Sequence, residues 1–330
     1  MFVVPFGIFV KDEPNPVDSP TSQGNQAAEF EPAEEASRLH LPPSGPELAV
    51  PPSEPHPLWR LFLYGVLAAA LYLLLTIVMS VLRQRIEGSI RLGLIAEVGL
   101  LLTATAPALV LSRLERRPWG DYGLPRAGFL GKLFWSGAGW GLAAISLLML
   151  VLYLTGTYEI ERLSLHGVRI LKFAAFWSGF FLVVALFEEF LMRGYSQFTL
   201  AKAIGFWPSA VLLSGGFAAI HLDNPGETAP GIAAVGVIGL FFCLTLRRTG
   251  NLWFAVGFHA SWDWGESFLY SVPDSGGTPP GHLLKCHLHD PAWLSGGSAG
   301  PEGSVLLFLL VVLLWFVFSR VYRDVKYRNS

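Results

Sequence analysis

Charge is what this sequence has least of. Only 15% of the 330 residues are Asp, Glu, Lys or Arg, against 52% hydrophobic, whereas soluble domains carry roughly a quarter charged residues. That scarcity argues against a soluble globular chain. The basic residues that exist are scattered between apolar runs and form no stripe, which argues against a nucleic-acid partner. Cysteine is scarcer still. Cys243 lies in an apolar run and Cys286 in a polar loop, so the two are expected at different depths with no disulfide between them, and cysteine usage leaves the redox compartment undecided. The chain has no H-E-x-x-H and no G-x-S-x-G, the common signatures of soluble metallo- and serine hydrolases. Its first ten residues are apolar but too short, and lack the basic start and the small-residue cleavage site of a signal peptide.

What is present is a series of apolar runs. Eight approach the length of about 20 residues that a spanning helix needs: 59–82, 92–111, 134–154, 173–192, 208–222, 231–246, 252–270 and 304–318. The expected fold is all-α, a polytopic transmembrane bundle of about eight spans, with the fifth and sixth short or glycine-rich enough to be irregular or partly re-entrant. Residues 1–57 are rich in Pro, Glu and Ser and read as a disordered acidic tail. After it come spans one to three (58–172), a core (173–270), a loop (271–303), and a last span with a basic tail (304–330). Sixteen of the 23 Lys and Arg fall on one side of this arrangement, which predicts an integral membrane protein with both termini cytoplasmic. Residues 112–132, with Trp119, Tyr122 and Leu124 among basic residues, read as a linker on the membrane surface, and 195–206 as an interfacial extension of the fourth span.

Ionisable residues inside such runs cost at least a few kcal/mol and mark functional sites. The fourth run ends in Phe187-Glu188-Glu189-Phe190-Leu191-Met192-Arg193. Glu189 and Arg193, four apart, share a helix face, while Glu188 points about 100° away. A helix end with snorkelling charges would explain this stretch alone. Two further intrusions change the balance: His221 ends the fifth run in Phe217-Ala-Ala-Ile-His221, and the seventh carries His259 and Asp263 at i, i+4. One shared polar centre is the economical account. A carboxylate can take a proton from water, imidazoles can orient that water or bind a metal, and a donor can stabilise an oxyanion. Leu213-Ser214-Gly215-Gly216 reads as small-residue helix packing. His282, Cys286, His287, His289 and Asp290 could bind a transition metal, although their spacing fits no standard zinc pattern and an irregular loop over the bundle end is the simpler account.

The ordered set of motifs, Glu188-Glu189-Phe-Leu-Met-Arg193, then Phe217-Ala-Ala-Ile-His221, then His259-Ala-Ser-Trp-Asp263, resembles the CAAX prenyl protease and bacteriocin-processing membrane proteases, the ABI or CPBP family. The resemblance covers about residues 173–270. It implies an intramembrane endopeptidase, metal-dependent or metal-free, acting on a membrane-associated peptide or protein in the bilayer. Glu188 would be the water-activating base, His221 would position water or a metal, His259 and Asp263 would serve the oxyanion or the metal, and Glu189 with Arg193 would brace the helix. Asp263 stands where the prenyl-protease branch commonly has Asn. An ionised aspartate cannot donate to an oxyanion, which turns expectation toward an orienting partner of His259 or a zinc ligand beside Glu188, His221 and His259, with a metal-free mechanism as the other branch. The rival function is a non-catalytic transporter or immunity-type scaffold that uses the same buried groups for proton relay or partner binding.

Overall fold

A computed structural model describes residues 55–84, 90–223, 228–274, 277–278 and 280–327. The acidic tail expected at 1–57 lies, apart from residues 55–57, outside the described residues. The chain is a helical bundle: α1 (Pro57–Arg83), α2 (Ile90–Leu114), α3 (Lys132–Leu154), β1 (Tyr158–Leu163), α4 (Val168–Arg193), α5 (Tyr195–Ile204), α6 (Phe206–Ile220), α7 (Ala229–Thr249), α8 (Trp253–Asp263), β2 (Leu284–Leu288), the single turn α9 (Ala292–Ser295) and α10 (Val305–Val321). Among the described residues, α1, α2, α3, α4 with its continuation α5, and α7 are long and apolar enough to cross a membrane. α6 and α10 are apolar but shorter, and α8 is prolonged by a π-helical segment, Trp264–Leu269. Each of the eight apolar runs therefore holds a helix. The sixth, expected to be irregular, is the full-length α7. Thr228 caps it by accepting from Gly231 N, and Gly250 closes it in the left-handed region at φ 79°.

Close backbone approach sets the depth and rotation of the central helices. α3 presents Gly137 and Gly141, four apart, to α8. A Cβ at Gly137 would lie 2.0 Å from the Phe254 carbonyl oxygen, one at Gly141 2.2 Å from that of Phe258, and one at Gly257 2.1 Å from that of Phe134. Small residues at this spacing let two helices pack backbone to backbone where lipid supplies no hydrophobic drive. The contact fixes the helix that carries His259 and Asp263. Gly215 and Gly216, read as packing residues, have nothing within 4 Å of an added Cβ. The tight approach in that region is between Ser214 and Gly239.

Residues 112–132 and 195–206 place several of their side chains against the bundle. Tyr122 and Leu124 are buried, Trp119 stacks on Phe190 at 4.7 Å between centroids, and Trp253 Nε1 donates to the Pro125 carbonyl. In α5, Tyr195, Gln197 and Thr199 are buried, where the helix packs on α1 and α6. Within 271–303, the segment Leu284–Leu288 is placed by pairing: β2 runs antiparallel to β1, with Ile160 opposite Cys286 and Leu163 opposite Leu284. This small sheet is the one departure from an all-α fold among the described residues. It uses the His and Cys that suggested a metal. The Cys286 thiol donates to the Tyr270 and Ser271 carbonyls, His287 meets Glu161 at 3.4 Å and His289 meets Glu159 at 3.0 Å.

Candidate active site

Glu188 and Glu189 follow each other on α4 and face different surroundings, as a 100° turn requires. Glu189 is fully buried. Its Oε1 accepts from Arg193 Nη1 at 2.9 Å, one turn on, and also meets His259 Nδ1 of α8 at 3.0 Å. A carboxylate only accepts, so Nδ1 carries the proton. Glu189 thus does more than brace its own helix, because it fixes the imidazole of another. The far nitrogen, His259 Nε2, lies 3.5 Å from Glu188 Oε2 and 3.5 Å from Asp263 Oδ2. Phe242 stacks on the ring at 5.7 Å and 17°, so the imidazole is held at its edge and on its face.

Arg193 is the hub behind this arrangement. Its guanidinium lies over Phe217 at 5.3 Å and Phe242 at 5.5 Å, contacts that strengthen where water is excluded. Gly239 leaves room for it, since a Cβ there would come within 2.7 Å of Nη2. The phenylalanine of the second motif therefore holds the arginine of the first. Phe217 also meets the His221 ring edge-on at 4.5 Å. His221 Nδ1 bonds the Phe217 carbonyl at 2.9 Å. A carbonyl cannot donate, so in the neutral ring Nε2 is the nitrogen left with a lone pair.

Glu188, His221, His259 and Asp263 all line one cavity of about 620 Å³, walled largely by aromatic and aliphatic side chains including Trp177, Phe180 and Phe258. The sequence reading did not single out Glu97, a carboxylate on α2 that enters the same cavity, nor Asp274 and Glu302, which line it from the residues that follow α8 and precede α10. Glu97 could have been found as a lone acid in an apolar run. Asp274 and Glu302 sit in polar loops and carried no such signal.

The donor types suit zinc, but their spacing does not close on one ion. Among the described residues, the one group in which three metal-ligating atoms all lie within 4.8 Å of one another is Glu266, Asp274 and Glu302, and not a trio drawn from Glu188, His221, His259 and Asp263.

Residues 170–265 match the family described as Type II CAAX prenyl endopeptidase Rce1-like. No curated protein and no solved structure is significantly similar to the chain.

Proposed function

We propose that this chain, whose residues 170–265 match the Rce1-like CAAX prenyl endopeptidase family, hydrolyses a peptide bond of a membrane-associated peptide or protein within the bilayer. The observation that supports it best is the meeting of Glu188 and His259 in an apolar-walled cavity, with the other face of the imidazole tied to a fully buried carboxylate.

Hydrolysis needs a base for water, a donor for the oxyanion and a site that limits bulk water. Glu188 is the base. It takes a proton from water as the oxygen attacks the scissile carbonyl, and returns it to the leaving nitrogen as the C–N bond breaks. His259, in its protonated form, donates from Nε2 to the oxyanion, its orientation set by the bond from Nδ1 to Glu189. Asp263 cannot replace an asparagine as an oxyanion donor when ionised, and its role is to stabilise the positive charge of His259 from 3.5 Å away. His221 positions the water through Nε2. Because the four residues do not form a closed ligand set, no step is routed through zinc. Elemental analysis of purified protein, with activity measured with and without chelator, checks this branch, and loss of activity on removing one zinc per chain would overturn it.

The test of the enzyme reading compares wild-type and Glu188→Gln protein reconstituted in membranes, with cleavage products read by mass spectrometry. The variant is expected to lose activity by about 10²- to 10⁴-fold. Equal cleavage by both proteins would remove Glu188 as the base. No cleavage by the wild type, with a membrane partner retained by both, would favour the scaffold.

A further inference from the structure

Three carboxylates that the hydrolytic reading does not use converge beside the cavity. Glu266 lies on the π-helical continuation of α8, Asp274 on the chain that follows, and Glu302 on the turn Pro301–Gly303 that leads into α10. One oxygen from each can be chosen so that all lie within 4.8 Å of one another. Like charges this close repel. Glu266 compounds the cost, because it is fully buried and neither Oε1 nor Oε2 has a hydrogen-bond partner. A buried ionised carboxylate without a donor costs several kcal/mol unless a cation compensates it or a proton neutralises it.

The surrounding chain is shaped to bring these groups together. Asp274 sits in a turn closed by paired backbone bonds with Gly277, and Ser267 Oγ donates to its Oδ2 at 3.0 Å. Gly300, at φ 88°, presses the turn before Glu302 against its neighbours. A Cβ there would lie 1.9 Å from the Pro273 carbonyl oxygen and 3.4 Å from Glu266 Oε1, so only glycine allows the approach.

We propose that Glu266, Asp274 and Glu302 bind a calcium ion. The donors are all oxygens, the preference of a hard cation. With Ca–O bonds of about 2.3–2.6 Å, two oxygens on one ion stand at most about 5 Å apart, a limit the three oxygens meet, since all lie within 4.8 Å of one another. Magnesium demands near-ideal octahedral geometry and keeps several waters, which suits a buried, ready-made set of carboxylates less well. The ion links the end of α8 to the chain on either side of β2, and so holds the cavity wall that Asp274 and Glu302 share with His259.

The experiment uses the full chain in lipid nanodiscs, stripped with chelator and then titrated with calcium or magnesium, read by equilibrium binding of radioactive calcium and by thermal unfolding. Wild type is expected to bind about one calcium per chain and to unfold at higher temperature as calcium rises. Asp274→Asn and Glu302→Gln should each weaken binding by about tenfold or more. Glu266→Gln guards against misfolded variants, since it removes the buried charge and should be the more stable protein without calcium while losing the calcium response. Glu188→Gln should respond to calcium as wild type does, whatever becomes of the hydrolytic reading. Absence of calcium binding by wild type overturns the proposal, as does undiminished binding by Asp274→Asn and Glu302→Gln. An unfolding temperature that rises with acid and ignores calcium would show that protons alone relieve the cluster, and an equal or larger response to magnesium would overturn the choice of calcium.

Discussion

Glu115 and Glu188 both stand at or near the end of an apolar helix, and they differ in what their lone pairs meet. Glu115 is surrounded by donors. Its Oε1 accepts from Arg60 Nε at 2.7 Å and from the Tyr195 hydroxyl, and its Oε2 accepts from Arg60 Nη2 and the Tyr122 hydroxyl. Four donors from three other segments leave it nothing with which to do chemistry, and it serves as a joint between α1, α2, the turn at Tyr122 and α5. Glu188 opens on the cavity, and among the described residues its one ion-pair contact is His259, at 3.5 Å. A carboxylate with satisfied lone pairs holds structure, whereas one with free lone pairs beside an oriented imidazole can take a proton. The donors around Glu115 and its deeper burial, 7% exposed against 22% for Glu188, together separate the two.

The widest separation should come from paired substitutions. Glu188→Gln is expected to cost two to four orders of magnitude in cleavage rate with little change in unfolding temperature. Glu115→Ala should do the reverse. It leaves Arg60, only 3% exposed, without its counter-charge, at a cost of about 3–5 kcal/mol in stability, while the fraction that remains folded cleaves at the wild-type rate. Denaturant unfolding in micelles and single-turnover cleavage on the same preparations check both. A rate loss in Glu115→Ala beyond its loss of folded protein would break the distinction.

Glu189 lies between these extremes, with Oε1 engaged by Arg193 and His259 and Oε2 unpartnered. Glu189→Gln keeps an acceptor for His259 Nδ1 but withdraws the charge opposite Arg193. It should lower both readouts, the rate by roughly 10- to 100-fold, as loss of an orienting carboxylate does elsewhere. A purely structural Glu189 would change stability and leave the pH profile of cleavage unmoved. A shifted profile identifies it as the group that sets the state of His259.

The contrast also marks what could be read from sequence. Helical spacing alone put Glu189 beside Arg193 and His259 beside Asp263, because i, i+4 pairs are local and need no tertiary knowledge. The bond from Glu189 to His259 joins residues 70 apart and depends on how far α8 is rotated, which the close approaches at Gly137, Gly141 and Gly257 decide. Arg60 and Arg193, near the ends of apolar runs, are buried at 3% and 1% exposure in ion pairs that sequence periodicity does not by itself rank by burial. The cluster of Glu266, Asp274 and Glu302 was hidden for a related reason. Only Glu266, three residues past Asp263 in an apolar run, carried a signal, and its partners come from loops whose folding the sequence pattern does not display.

The smallest expected effect tests whether partners without burial suffice. Glu161 on β1 also has several cationic neighbours: Lys285 Nζ at 2.7 Å, His287 Nε2 at 3.4 Å, and Arg162 beside it. The hydrogen bond from Lys285, with the charges of Arg162 and Lys285 and a bond from His287, holds the Glu161 carboxyl below its ordinary value of 4.5. A carboxylate whose folded pKa is depressed adds stability that is fully present above the unfolded value and is lost as pH falls through the folded one. Pairing of β1 with β2 should therefore weaken below about pH 4.5, and the effect should fade at high salt because exposed charges are screened. Hydrogen exchange of the β2 amides, followed against pH in wild type and Glu161→Gln, measures this directly. The variant should exchange slightly faster at neutral pH and lose the acid-dependent step, while global unfolding stays near wild type. If Glu161→Gln destabilised the whole bundle as much as Glu115→Ala, a count of charged neighbours rather than their exclusion from water would set the strength of these carboxylate centres, and Glu115 would have no claim to be the stronger joint.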